Sequence, residues 1–329
     1  MVGQVGRLPG KLVAAEVPVV RRRLEDRALQ VERTDDPARG QVDDLADRLF
    51  NRPVLSPERR RRNGAVFIAV LVGAALLGGL LLSSVLRLFG PLGYAAEICL
   101  VAVFLAQKSL FDHVGAVRDA LVTEGLAGGR RAVSLIVGRD VSSLDPSGVS
   151  RAAIESLAEN QSDGVVAPWL AYLIGGLPGL LAYKAINTAD SMIGHLSDRH
   201  RDFGRAAAKL DDVVNWPSAR LTAVLYVASA TIKGLAAWRL VWAVVTRDAP
   251  LHRSPNAGWP EAAMAAALGL SLGGPRRYGD LVVDAPSLNG EGRRSAGPAE
   301  IDQALSLTRL VFALLLAINA GLLALSVLL

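Results

Sequence analysis

The chain has 329 residues, 51% of them hydrophobic and only 5% aromatic, with a mean hydropathy of +0.33, which is too apolar for an ordinary soluble domain of this length and points to the membrane class. Its one cysteine, Cys99, lies in an apolar run and excludes an internal disulfide or a cysteine metal cluster. The net charge of +5 is modest and its arginines are clustered, a pattern that sets membrane orientation and gives no sign of nucleic-acid binding.

Residues 1–63 are polar and basic, with Arg21, Arg22 and Arg23 and then Arg59 to Arg62 set among acids such as Asp35, Asp36, Asp43 and Asp44. With no apolar stretch near Met1, the expectation is a cytosolic arm and neither a signal peptide nor a first spanning helix. Such an arm is either solvated or held to anionic lipid. Residues 64–86 carry no charge and suffice to cross a hydrocarbon core of roughly 30 Å. The four arginines before them put the N-terminal side in the cytoplasm. A turn at Phe89-Gly90-Pro91 leads to a second apolar run, Leu92 to Ala106, so 64–106 reads as a transmembrane hairpin. Glu97 inside it is either a functional acid or one lying near the headgroups.

Residues 107–164 alternate apolar and charged positions at helical spacing and read as a cytosolic helical segment. The next stretch, 165–245, reads as broken membrane helices carrying a loop at 188–218. Gly175, Gly176, Pro178 and Gly179 interrupt its first apolar run, and the expectation is two half-length helices meeting at a bend, re-entrant if they fold back. From Arg220 to Val245, Lys233 and Arg239 make one straight span doubtful, and a short membrane helix followed by an interfacial one fits as well. Residues 246–308 read as a cytosolic loop rich in Gly and Pro, and 309–329 as a C-terminal spanning helix. The fold expected is an all-α multipass integral membrane protein of about four to five membrane segments with cytosolic helical loops.

The polar residues of Glu155 to Arg220 are set against apolar sequence, an arrangement that is costly without a role. Glu155 and Glu159 fall about 40° apart on a helix, with Ser156 and Asn160 beside them and Asp163 next, an oxygen set that suits Mg²⁺. A face of ordinary solvated acids has the same spacing. Lys184, Asn187 and Ser191 make a polar stripe on an apolar helix, with Asp190 at its edge. Interhelical hydrogen bonds account for Asn187 and Ser191 but poorly for Lys184. Asp211 and Asn215 repeat the four-residue spacing, Asp212 adjoins them, and Arg199, Arg201, Arg205 and Lys209 upstream supply cations fit for phosphate oxygens or for salt bridges along a helix. His195 and His200 lack an HExxH pattern, and neither a Walker A sequence nor a GxSxG elbow is present.

Five segments, VSLIVGRD (133–140), ESLAENQSDGVVAPW (155–169), LAYKAINTADSMIGH (181–195), FGRAAAKLDDVVNWPSARLTA (203–223) and SPNAGWPEAAMAAALG (254–269), closely resemble in sequence and order the CobD/CbiB family of cobalamin biosynthesis, the adenosylcobinamide-phosphate synthases. The resemblance implies a multipass enzyme of the bacterial inner membrane, its site facing the cytoplasm, that joins adenosylcobyric acid to (R)-1-amino-2-propanol or its O-phosphate with ATP. It implies Glu155, Glu159, Lys184, Asp190 and Asp211 as catalytic residues. Asn160, Asn187, Ser191, Asn215, Arg220, Ser254, Asn256, Gly258 and Glu261 are implied in substrate binding, and Glu155, Glu159, Asp163 and Asp212 as ligands of Mg²⁺. The family usually begins with an extra apolar helix and an acidic loop, whereas this sequence opens with VGQVGRL, so that helix is expected to be missing; His195, His200 and Leu196 also depart from the pattern. A transporter would show paired repeats, which are not found, and a non-enzymatic scaffold would leave the motif-dense loops without work.

Overall fold

The structure is a computed structural model describing residues 50–52, 54–194, 199–278, 281–283 and 285–328. Most of the basic N-terminal arm, His195 and Leu196 lie outside the described residues. The protein is built almost wholly of helices, as the sequence predicts.

Helix α1 (Pro57–Arg87) starts where the Ser56 hydroxyl accepts from the Arg59 amide, with Pro57 in its first turn. It ends in a turn through Gly90, at φ 53°, and α2 (Pro91–Phe104) returns beside it. A Cβ on Gly93 would lie 1.8 Å from the Leu86 carbonyl oxygen, so this tight return requires glycine. Next come α3 (Gln107–Thr123), α4 (Gly125–Ser134) and α5 (Pro146–Gln161), the last capped by Asp145 accepting from the Gly148 amide at 2.6 Å. One π turn (Ser162–Val166) leads into α6 (Ala167–Ile193).

Helix α6 is broken at Gly176, whose φ of 59° and ψ of −151° are open to glycine alone. The chain then doubles back. The Tyr183 hydroxyl donates to the Asp163 carbonyl at 2.6 Å, and a Cβ on Gly179 would sit 2.4 Å from the Ala171 carbonyl oxygen. In a straight helix, residues 163 and 183 would stand about 30 Å apart. The broken pair therefore folds back on itself as anticipated for a re-entrant hairpin, with about 14 Å of helix in residues 167–175 and about 25 Å in residues 177–193. Helix α1 lies along this hairpin, with Gly79 against Pro178. From α2, Glu97 accepts a hydrogen bond from the Tyr172 hydroxyl at 2.9 Å. That bond gives the buried-depth acid of the sequence a structural partner on the hairpin's first arm.

Helices α7 (Arg205–Val214), α8 (Trp216–Ile232) and α9 (Trp238–Asp248) follow, the last two separated at Gly234, φ 66°. A single-turn 3₁₀ segment (Ala249–Leu251) and α10 (Gly258–Leu268) precede two antiparallel pairs, β1 (Leu272–Gly273) with β4 (Ser287–Leu288) and β2 (Arg276–Tyr278) with β3 (Leu281–Val283). Helix α11 runs from Pro298 to Leu328. The region 246–308 is thus more than a polar loop. Ala262, Ala263, Met264 and Ala265 of α10 are fully buried, because its small side chains let neighbouring helices close on it from all round. Val117, Ile154, Leu157, Tyr226, Met264 and Leu305 bring α3, α5, α8, α10 and α11 into one core, and the Tyr226 hydroxyl meets Thr308 Oγ1 inside it at 3.0 Å. A smaller core joins Ile68, Ala189, Ile193, Phe203 and Ala207 of α1, α6, α7 and the loop between the last two.

Among the described residues, four stretches are long and apolar enough to cross a membrane: Pro57–Arg87, Pro91–Thr123, Pro146–Ile193 and Pro298–Ser326. The third includes the folded hairpin and so is no single straight rod. Leu77, Leu80, Leu81 and Val85 on α1 and Leu322, Leu323 and Leu325 on α11 are exposed, as lipid-facing side chains would be.

The α1–hairpin contact makes a paired prediction. A Cβ on Gly79 would fall 2.5 Å from Pro178 Cα, whereas one on Gly78 meets nothing within 4 Å. Gly79→Ala should destabilise the detergent-solubilised protein by about 1–3 kcal/mol, and Gly78→Ala should be neutral or slightly stabilising. Equal melting temperatures for the two variants would remove this packing from the account.

Candidate functional site

The polar residues singled out in sequence collect where the C-terminal end of α5, the hairpin's second arm and α7 meet. Asp163, in the π turn, has Glu159 of α5, Asp211 of α7 and Asp190 of α6 as its charged neighbours. Asn187 Nδ2 donates to Asp211 Oδ1 at 3.3 Å, so the polar stripe of α6 faces α7. Tyr183, one turn earlier, ties the group together. Its hydroxyl donates to the Asp163 carbonyl and also lies 2.9 Å from Asn215 Oδ1. Asn215 is 1% exposed, and its Nδ2 has no well-formed hydrogen bond. Gln161 and the Ser162 hydroxyl, at the junction with the π turn, are likewise buried without partners among the described residues. Single π turns of this kind recur at functional sites.

Electrostatics at this junction are set by burial. The Asp211 carboxyl is pushed above the ordinary aspartate range by loss of solvent, with Asp212 adding to the effect and the amides of Asn187 and Asn215 opposing it. The Asp190 carboxylate overlies Gly194, where a Cβ would come within 1.9 Å of its Oδ1, so the helix end beneath the acid requires glycine. Lys184, beside Tyr183, is half-buried and has no acid in ion-pair range among the described residues. A cation so placed is open to an anionic ligand. Ser191 and Asn160 are exposed, and Asn160 Nδ2 donates back to the Ser156 carbonyl at 2.9 Å.

A second group adjoins the first through α7. The Arg220 guanidinium lies between the rings of Trp216 and Trp259, 4.6 and 4.5 Å from their centroids, and donates to Asn256 Oδ1 at 2.8 Å. Asn256 Nδ2 donates in turn to the Asp212 carbonyl at 2.8 Å. Ser254 accepts the Asn256 and Ala257 amides, each at 3.2 Å, in the turn that leads to α10. Gly258 is needed because a Cβ there would lie 2.5 Å from both the Ala249 carbonyl oxygen and His252 Cβ. Glu261, 2% exposed, stands 3.9 Å from His252 Nε2. Of the four loop residues anticipated, Asn256 reaches Arg220 and α7, while Ser254, Gly258 and Glu261 shape the loop itself.

Glu155 goes elsewhere. It is 6% exposed, accepts from Arg139 Nη2 at 2.9 Å and receives the Gly273 amide at 2.8 Å. Sharing a helix face with the exposed Glu159 does not give it the same surroundings. Glu155, Glu159, Asp163 and Asp212 therefore do not converge as one set, and among the described residues no three His, Cys, Asp or Glu side chains form a metal-holding group. A pair of carboxylates is nonetheless what Mg²⁺ needs when substrate phosphates complete its shell, and the acids around Asp163 fit that requirement. The sequence reading missed Tyr183, Trp216, Trp259 and Arg139. Tyr183 stands four residues before Asn187, a helical neighbour that the polar stripe could have included.

Comparison with known proteins shows the family. Residues 38–308 match the family described as CobD/Cbib protein. The chain is similar to the cobalamin biosynthesis protein CobD of Brucella melitensis, with 56% identity over 269 residues covering 82% of each chain. It is 54% identical to that of Sinorhizobium fredii over 75% of this chain and 76% of the relative, and 48% identical to that of Rhodobacter capsulatus over 73% and 76%. No solved structure matches the chain.

The burial of Asp211 predicts a pH signature in the ligand-free protein. With its folded-state pKa raised, its contribution to stability is full below the unfolded value of about 3.9 and is lost as pH rises through the folded value. Asp211→Asn should therefore melt above the wild type at neutral pH, with the gap closing as the pH falls toward 4. A gap that is constant, or that widens in acid, would contradict the desolvation argument.

Proposed function

The chain belongs to the CobD/CbiB family and to cobalamin biosynthesis, and from that premise we propose that it joins adenosylcobyric acid to (R)-1-amino-2-propanol or its O-phosphate in an ATP-dependent amide synthesis. The observation that carries this reading is the convergence of Glu159, Asp163, Asp190 and Asp211 beside Lys184, a lysine without an ion-pair partner among the described residues. A ligase of this kind must activate a carboxylate by phosphoryl or adenylyl transfer. The amine nitrogen then displaces the phosphate or AMP to form the amide and gives up a proton.

Each requirement has a group suited to it. Lys184 and Arg220 meet phosphate charge, and the two tryptophans and Asn256 hold the Arg220 fork in one orientation. The carboxylates about Asp163 would hold Mg²⁺, which would supply charge neutralisation to nucleotide phosphates when bound. Asp211, its carboxyl held above the usual range by burial, suits the proton leaving the amine. Asn187 and Asn215 orient it, and the loop from Ser254 to Gly258 closes over substrate. The arginines in the first turns of α1 and the exposed apolar faces of α1 and α11 support an inner-membrane protein with this site on the cytoplasmic side.

Complementation tests the reading. In a cobalamin auxotroph lacking this synthase, fed cobyric acid without cobinamide, the chain should restore growth. Asp190→Ala and Asp211→Asn should not, at equal membrane levels, even though the second is expected to be the more stable protein at neutral pH. Wild-type growth with both variants would remove the acid cluster from the site. Failure of the wild-type chain, well expressed and folded, would count against the synthase assignment.

A further inference from the structure

Arg139, which the sequence analysis noted only within a motif, lines a polar cavity of about 250 Å³ together with Asp140, Ser143, Asp145, Gly148, Arg151 and others, including Glu155 and Gly273. The acids on this wall are engaged. Asp145 caps α5 through the Gly148 amide, Asp140 accepts from the Ser142 amide at 2.7 Å and from its hydroxyl at 2.9 Å, and Glu155 is held by Arg139 and the Gly273 amide. The arginines are not saturated. Arg139 uses Nη2 on Glu155 while its Nε–H, shielded from solvent, has no partner, and half-buried Arg151 makes no hydrogen bond or ion pair with any described residue. A half-buried guanidinium left unpaired beside a second, under-bonded one is costly unless a ligand completes the set.

We propose that this cavity binds a small phosphate monoester, with Arg151 as its principal contact, Arg139 as a second cationic wall and the Ser143 hydroxyl at its rim. Two guanidinium forks and a hydroxyl match a tetrahedral oxyanion, which offers three oxygens where a carboxylate offers two. The first turn of α5, opening at Gly148 on the cavity wall, adds favourable potential for an anion. The volume falls below that typical of sites for drug-sized ligands, roughly 300–1,000 Å³, and so suits a ligand smaller than a corrinoid or a whole nucleotide. The O-phosphate form of the amine in the proposed ligation is a ligand of this class, so the inference deepens that reading, and binding read without turnover keeps the two separable.

The test is calorimetric titration of the full chain in detergent with inorganic phosphate, then with O-phosphoethanolamine, acetate and ATP. Wild type should bind phosphate and phosphoethanolamine, and acetate at least tenfold more weakly. Arg151→Gln should weaken phosphate at least tenfold and Arg151→Lys by less, with both variants melting like wild type without ligand. Phosphate affinity unchanged in Arg151→Gln would overturn the site, as would no measurable phosphate binding by wild type. Displacement of phosphate by ATP in an Arg151-dependent way would overturn the small-ligand assignment, and acetate binding as well as phosphate would overturn the preference for phosphate. Arg151 variants with normal phosphate binding alongside intact complementation would sink this inference and leave the ligase reading standing.

Discussion

The fold-back of α6 at Gly176 is the constraint from which the site's geometry follows. Only a residue without a Cβ adopts that backbone at little cost, and Pro178 two positions later bars the helix from running straight through. Backbone groups freed by such a break must be covered by protein if they lie in an apolar medium. Helix α1 supplies that cover, and the glycine-to-proline approach at Gly79 allows it to come close enough. With the hairpin closed, Tyr183 reaches Asp163 and Asn215 in one step, and residues twenty positions apart in sequence become neighbours. A straight helix would have left the acids of the π turn and those of α7 on opposite sides of a membrane.

Bringing four carboxylates together works against stability through their mutual repulsion. At Asp211 loss of solvent adds to the cost, and the amide of Asn187 offsets it only in part. An arrangement of this kind persists where the rest of the fold is strong enough to hold it, and here the tightly packed α5–α8–α10–α11 core lies directly alongside. The Asn215 amide nitrogen, which makes no well-formed hydrogen bond, and Gln161, buried without a partner among the described residues, are polar groups held out of water at the same junction. Arg220 shows the contrasting solution. Its charge is held by two aromatic faces and an amide, so its donors are oriented before any ligand arrives.

Sequence carried the fold where a single physical signal dominated. The uncharged run 64–86 and the Gly/Pro interruption at 175–179 could hardly mean anything but a long apolar helix and a break. It carried less where burial depends on partners far along the chain. The Ala-rich segment from Pro260 to Leu268 looks like part of a loop because small residues give no amphipathic contrast, yet that smallness is what allows helices to close over it. The same limit applied to the acids. Spacing correctly put Glu155 and Glu159 on one face of α5, but that the face meets Arg139 and Gly273 is decided by residues 16 and 118 positions away. Tyr183 escaped notice since a tyrosine in an apolar run reads as packing until its hydroxyl's partners are known.

Helix α5 links what the hairpin and the core each provide. Its first turn opens on the arginine-lined cavity, Glu155 in its middle also belongs to that cavity's wall, and Glu159 one turn later belongs with the acid cluster. The step from Glu155 to Glu159 is about 6 Å along the axis. Two polar sites of opposite character, one with unsaturated cations and one with crowded carboxylates, are thus separated by a single turn of one rigid element. A helix buried along nearly its whole length cannot shift at one end without moving the other, because packed interiors transmit displacement where loops would absorb it. The Arg139–Glu155 ion pair, its side chains only 14% and 8% exposed, thus ties the cavity wall to the same helix that carries Glu159.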